Sequence, residues 1–192
     1  MKSLLGKILA AAALFVGTTA SAEIINLTPA DPQPTGLKQG LSVVYAVNDR
    51  KVRTLGPAKR RIERFGEPGK PLAGLNYPDK GKDAEVLTSG RSSLVSAMVN
   101  GYIKFPAAGT YGVEFYTNDG AQIWISGQTV GKLDKVTACA SAGRPQVNVP
   151  KAGWYDIQVL YFQKEGTACF ESEWTPPGGT RQLIPDSAFG YK

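Results

Sequence analysis

Apolar and polar residues alternate through the second half of the chain, which is the period expected of β-strands with one buried face. Gly, Pro, Asn and Asp interrupt the runs, for example at 106–109 and 118–120. Short strands with turn residues between them are typical of an all-β sandwich or barrel with mostly antiparallel strands. The predicted strands are 41–47, 94–105, 110–117, 121–126, 146–149, 154–163 and 167–174.

Between residues 48 and 90 the alternation disappears, and Gly and Pro are scattered without a period. This segment predicts a long irregular insertion made of loops, with room for one short helix. We expect the chain to divide into a signal peptide (1–22), a lead-in segment (23–39), a β-sandwich domain (40–179) and a C-terminal tail (180–192).

The first 22 residues have the pattern of a cleaved secretory signal peptide. Lys2 and Lys7 precede or begin an apolar run, and small residues follow it and end in Ala20-Ser21-Ala22. The run is shorter than the roughly 20 residues that a membrane-spanning helix needs, and no second long apolar run follows it. We therefore expect cleavage after Ala22, export to the periplasm or out of the cell, and no stable membrane insertion.

Composition excludes several classes of enzyme. The chain has no His and 2 Cys, so it cannot build a Ser-His-Asp or Cys-His nucleophile, an imidazole-ligated zinc site or a four-thiolate site. Glu171 and Glu173 share one strand face, as the two carboxylates of a glycoside hydrolase could. The pattern nevertheless places them on an outward face with no neighbouring cleft, and we expect a protein that is not an enzyme.

Positive charge is concentrated in the insertion. Without residues 1–22 the net charge is +4, and segment 50–64 alone carries +6. Such a patch suits acidic glycan or anionic lipid, or it is a solvated surface that apolar residues attach to the domain. Nucleic acid is not an expected partner, because the protein is exported and no aromatic side chains are interleaved with these charges.

The two cysteines of an exported protein are expected to be joined. Cys139 and Cys169 form an even pair in an oxidising compartment. In strand 167–174 the period of two places Phe170 and Trp174 on the core face and Cys169 on the other face. The pattern therefore predicts a disulfide bridge between Cys139 and Cys169 across the outside of the sheet.

Five groups of residues occur in one colinear series that resembles the domain family named after the anthrax toxin protective antigen. The match extends from about residue 36 to 179 and is best after residue 90. The family has a β-sandwich fold, and its members are non-catalytic modules of glycosidases, adhesins and toxins, several of which bind carbohydrate through calcium. The resemblance rests on NGYIKFP (100–106), GTYGV (109–113), TNDGAQIWI (117–125), AGWY with LYFQ (152–155 and 160–163) and WTPPGG (174–179).

The resemblance marks the turn at residues 118–120 as a candidate ligand site. Where calcium-dependent members have two adjacent Asp before a Gly, this chain has Asn118 and Asp119 before Gly120. Both side chains offer oxygen ligands, although Asn lacks the charge that helps to attract calcium. Asn-Asp-Gly is also the composition of a tight turn, so a calcium site and a structural turn both stay open. Asp134 is a candidate for an additional ligand.

Trp124 is the best candidate for an aromatic platform that stacks on a sugar, or else it packs on a second layer. Trp154 and Trp174 are expected in the core. We predict an exported, non-catalytic recognition module that binds carbohydrate through Asn118, Asp119, Gly120 and Trp124, with calcium as a candidate cofactor. The alternative is a structural or assembly protein of the cell envelope that binds a protein or polyanion through the sandwich and the basic insertion.

Overall fold

Two β-sheets packed face to face form the domain in the computed structural model, which describes residues 24–192. The predicted signal peptide lies outside these residues. In chain order the strands are β1 (Ile25–Asn26), β2 (Lys38–Gln39), β3 (Ser42–Val47), β4 (Glu67–Pro68), β5 (Asn76–Tyr77), β6 (Val95–Phe105), β7 (Gly109–Thr117), β8 (Gly120–Ile125), β9 (Gln128–Leu133), β10 (Ala140–Ser141), β11 (Gln146–Val149), β12 (Gly153–Gln163), β13 (Phe170–Thr175), β14 (Gln182–Leu183) and β15 (Phe189–Tyr191).

The pairing of these strands confirms the predicted β-sandwich. Sheet A has the order β1-β11-β7-β13-β14, with β10 also paired to β7 and β5 to β13. Sheet B has the order β2-β15-β6-β12-β8-β9, with β3 also paired to β6 and β4 to β3. The β1–β11 pair is parallel, and the long strands of both sheets pair antiparallel. Within residues 24–192 the two sheets stay separate rather than closing into a barrel.

Aromatic side chains from both sheets fill the core. The ring of Phe105 meets those of Tyr111 and Tyr155 edge to face, with centroids 4.9 and 5.2 Å apart. The ring centroid of Trp174 lies 5.8 Å from that of Phe105. Trp174 is buried, as the sequence predicts. Such edge contacts add to the free energy gained by burying the rings, and they fix how the two sheets face each other.

One helix, α1 (Leu55–Phe65), lies within the predicted insertion and covers part of the outer face of sheet B. Its residues Leu55, Ala58 and Ile62, spaced as one helical face requires, pack with Leu160 and Phe162 of β12. This contact explains why β12 is apolar on both faces at its C-terminal end. Within the described part of the chain, no helix is both long and apolar enough to cross a membrane.

Asp134 caps this helix, so the structure gives it a role different from the metal ligand considered above. The backbone N–H of Leu55 donates to Asp134 Oδ1 at 2.6 Å, while the preceding residue, Thr54, makes no side-chain capping bond. A carboxylate at this position satisfies a free amide and interacts favourably with the helix dipole. The cap comes from a residue far away in sequence, which is why the local pattern around residue 55 does not reveal it.

The predicted lead-in and tail are parts of the two sheets, which corrects the expected boundaries 40–179. Residues 24–39 contribute β1 and β2, and residues 180–192 contribute β14 and β15. In sheet B, β15 lies between β2 and β6. Strands of two or three residues are too short to show alternation, and only pairing with longer strands identifies them.

Candidate functional site

The turn after β7 is buried, and Asp119 connects it to two other segments. Asp119 is 1% exposed and has a φ of 59°. Its Oδ1 accepts a hydrogen bond from the N–H of Thr137 at 3.1 Å, and its Oδ2 accepts one from the N–H of Lys164 at 2.6 Å. Burial raises the pKa of this carboxyl, against the opposing effects of these two amide bonds and of the charges of Lys164 and Arg53. The side chain therefore holds three parts of the chain together.

The two neighbours of Asp119 are equally enclosed. Asn118 is buried, and its Oδ1 has no hydrogen-bond partner. At Gly120, a Cβ atom would lie 2.2 Å from Cε1 of Phe162. Only glycine therefore allows β8 to approach the Phe162 ring this closely.

The side-chain oxygens of this turn are too few to form a calcium site by themselves. Calcium takes six to eight oxygen ligands, whereas these side chains offer one unbonded amide oxygen and a carboxylate that already accepts two amide hydrogen bonds. Among residues 24–192, no group of three or more His, Cys, Asp and Glu side chains is placed to hold a metal ion. Calcium binding stays a prediction from the sequence, and the function proposed below does not depend on it.

Cys139 and Cys169 form the predicted disulfide bridge, with their Cα atoms 5.9 Å apart. Thr117 pairs with Ala140 on one side and with Phe170 on the other, so the bridge joins the segments that flank β7 just beyond its end. As expected, Cys169 lies on the strand face opposite the core. It is nevertheless not exposed to solvent. Cys169 is 2% exposed, because the bridged segment lies against it.

Trp124 does not lie at the turn of residues 118–120. It lines an open groove on the outer face of sheet B. Helix α1 packs on the part of this face that holds Leu160 and Phe162. Over the groove, outward side chains of four adjacent strands form a row, in which Ser42 pairs with Asn100, Asn100 with Gln158, and Gln158 with Trp124. The groove has a volume of about 720 Å³, which is within the range of small-ligand sites.

Aromatic rings and polar groups both line this groove. Trp124 is half-buried, because it also packs against the apolar residues beneath α1. Tyr102 and Tyr191 add two more rings, and Asp156 lies opposite Tyr102 on the neighbouring strand. Flat rings stack on apolar ligand faces, and a few polar groups fix a ligand's orientation.

A hydrogen bond within the row orients its two amides. Gln158 Nε2 donates to Asn100 Oδ1 at 2.8 Å, which leaves Asn100 Nδ2 as a donor and Gln158 Oε1 as an acceptor toward a ligand. A neighbouring donor and acceptor match a pair of hydroxyl groups, each of which can accept and donate. The groove can thus recognise a polyhydroxylated ligand that has an apolar face.

Sequence reasoning finds Trp124 but misses most of the groove. Tyr102 faces outward by the alternation of β6, so the sequence pattern could have identified it. Tyr191 lies in the predicted tail, and its position depends on the pairing of β15. Trp154, expected in the core, is half-buried on the outer face, where Lys104 Nζ lies 5.6 Å from its ring centroid. The helix covers only the other end of β12.

Comparison with known proteins adds a family and several structures of the same fold. A sequence model of the PA14 domain matches residues 89–188. The PA14 domain of the MpAFP antifreeze protein is 15% identical, with a TM-score of 0.67 over 85% of this chain and 96% of its own. The PA14 sugar-binding domain from an RTX adhesin is 17% identical, with a TM-score of 0.62 over 80% of this chain and 99% of its own.

A third structure of the same fold is that of a fungal adhesin. The A domain of epithelial adhesin 9 from Candida glabrata, in complex with Galβ1-3GlcNAc, is 12% identical, with a TM-score of 0.66 over 88% of this chain and 96% of its own. A search of curated protein sequences found no match. At these identities the structures establish a common fold.

Proposed function

Because this chain belongs to the PA14 domain family, we propose that it is an exported, non-catalytic module that binds carbohydrate in the groove between Trp124 and Tyr102. The observation that carries the proposal is the row of amides beside aromatic rings on one face of a rigid sheet. Side chains on paired strands are held at defined spacing before a ligand arrives, which lowers the entropy cost of binding. A pyranose ring would stack on an aromatic side chain, and its hydroxyls would bond to Asn100 and Gln158.

Two of the compared structures support this choice of ligand class. The RTX adhesin domain is described as sugar-binding, and the Candida domain is in complex with Galβ1-3GlcNAc. The disulfide bridge supports export, since such bridges persist in oxidising compartments.

The carboxylates on sheet A support the non-catalytic part of the proposal. Arg181 pairs with both Glu173 and Glu114, and Arg144 Nε lies 2.5 Å from Glu114 Oε2. Desolvation raises the pKa of Glu114, but hydrogen bonds from Ser141, Arg144 and Tyr116 outweigh it and hold that pKa below its ordinary value. Glu173 is therefore engaged in an ion-pair network, which makes it a poor partner for Glu171 in glycosidic bond cleavage.

We expect Trp124→Ala and Tyr102→Ala each to weaken glycan binding at least about tenfold, as the loss of ~1.4 kcal/mol or more from a ring–sugar contact implies. Calorimetric titration with the best ligand from a neutral glycan array measures the effect. Trp154→Ala is the matched control, since it removes a half-buried Trp from the same face of the sheet outside the groove. Melting curves show whether each variant is folded.

The titration is repeated with EDTA, because the proposed contacts need no metal ion. Unchanged binding in EDTA together with weakened binding by the two groove variants supports the groove. Full affinity in both variants contradicts it. Loss of binding in EDTA with full affinity in both variants assigns binding to a calcium-assisted turn at Asn118 and Asp119 instead.

A further inference from the structure

We infer that the outward face of α1 and the loop before it form a second binding surface, which takes an anionic polysaccharide. This surface, called here the basic surface, comprises Lys51, Arg60, Arg61, Arg64 and Phe65. It carries most of the excess positive charge of segment 50–64, to which binding of a neutral sugar in the groove assigns no function. The inference depends on the fold and the charges of this segment, and it does not require that the groove binds sugar.

The first observation is that several cations of the basic surface are exposed and available. Ion pairs within the domain engage Arg61 with Asp49 at 3.4 Å and Lys59 with Glu63 at 3.6 Å. Among the described residues, Lys51, Arg60 and Arg64 make no ion pair, and all three are exposed. Their charges therefore remain free to attract an anion.

The second observation is that these cations line a hollow, together with Asp49 and Glu63, whose charges are paired with Arg61 and Lys59. A cavity of about 640 Å³ lies between α1 and the loop at 49–52. The guanidinium groups of Arg61 and Arg64 lie 5.3 and 5.2 Å from the ring centroid of Phe65, and this ring is 51% exposed. Stacking on an aromatic ring limits the motion of a guanidinium and leaves its N–H groups free. Planar guanidinium groups bind carboxylate and sulfate through two parallel hydrogen bonds.

The shape and the apolar content of this region favour a polysaccharide over a membrane. A helix that lies in a bilayer interface needs a free apolar face, whereas Leu55, Ala58 and Ile62 of α1 are packed on sheet B. Phe65 is a single exposed ring that already carries the two guanidinium groups, so it adds little apolar area for a bilayer. A polysaccharide with carboxylate or sulfate groups thus matches the arginines.

The charge-reversal variant Arg60→Glu with Arg64→Glu tests the inference, and it spares Arg61 because that residue pairs with Asp49. The probes are heparin, polygalacturonate, neutral dextran and vesicles that contain anionic lipid. The matched control is Lys80→Glu with Lys82→Glu, which makes the same change of net charge at two exposed residues away from the basic surface.

We expect the wild type to bind heparin or polygalacturonate with an affinity that falls as salt increases. The arginine variant should lose at least tenfold in that affinity, while the lysine control keeps it. No polyanion binding by the wild type, or an equal loss in both variants, overturns the inference. Binding to vesicles without binding to either acidic polysaccharide also overturns it and assigns the surface to a membrane. Because Tyr102→Ala changes neither the basic surface nor the apolar cluster beneath α1, failure of neutral-glycan binding and failure of this inference are separate outcomes.

Discussion

Replacing Asp119 with alanine should lower the free energy of unfolding by about 2 to 6 kcal/mol, since two amides lose their acceptor and each loss costs roughly 1 to 3 kcal/mol. The carboxylate accepts hydrogen bonds from the backbone of Thr137 and of Lys164, so one substitution detaches two segments. Residue 119 also has a positive φ, and alanine is strained there whereas Asp tolerates this conformation. Denaturant unfolding, with the melting temperature as a second measure, records the loss.

Two further variants show whether the hydrogen bonds cause this loss. Asp119→Asn keeps the size of the side chain but turns an NH₂ group toward a backbone N–H, so it should also destabilise the protein. Asp83→Ala removes an exposed carboxylate and should leave stability nearly unchanged. If Asp119→Ala unfolds at the same denaturant concentration as the wild type, the two amide bonds do not stabilise the fold.

The same proteins test the calcium prediction. If Asp119 ligates calcium, millimolar calcium should raise the melting temperature of the wild type and leave that of Asp119→Ala unchanged. If Asp119 acts only as a structural acceptor, the variant should melt below the wild type by the same interval with calcium and with EDTA. The geometry of the turn favours the second result.

The sequence predicts the strands that show alternation of apolar and polar residues within their own length. Strand β11 is found with its bounds unchanged at Gln146–Val149, and β12 differs by one residue at its start. In both, alternation and flanking turn residues are local signals. The three-residue strand β15 has no such signal, because pairing with β2 and β6 defines it.

The candidate site is harder to predict than the fold, because partners distant in sequence decide what each residue does. The composition of Asn118-Asp119-Gly120 fits both a turn and a ligand site. The structure favours the turn, because the backbone N–H groups of residues 137 and 164 donate hydrogen bonds to the Asp119 carboxylate. The groove forms because four strands are paired in one register and because α1 covers only part of sheet B. Neither the register nor the position of the helix can be derived from one segment of the sequence.

Removing the disulfide bridge with the double variant Cys139→Ser and Cys169→Ser should cost about 3 to 4 kcal/mol of unfolding free energy. The two residues are 30 apart in sequence, and closing a loop of that length restricts the unfolded chain by this amount in the chain-entropy description. The bridge joins the segments on either side of β7, next to the turn that Asp119 holds. Denaturant unfolding of the oxidised wild type and of the double variant measures the difference.

Reductant provides the matched control, because it should destabilise the wild type by a similar amount and leave the double variant unchanged. Thiol titration of the unfolded, unreduced wild type should detect no free thiol, and two free thiols would contradict the bridge. Adding Asp119→Ala to the double variant should cost less than the sum of the separate losses, since Asp119 and the bridge hold the same segments and their effects are coupled. Full additivity would show instead that the carboxylate and the bridge stabilise independent parts of the domain.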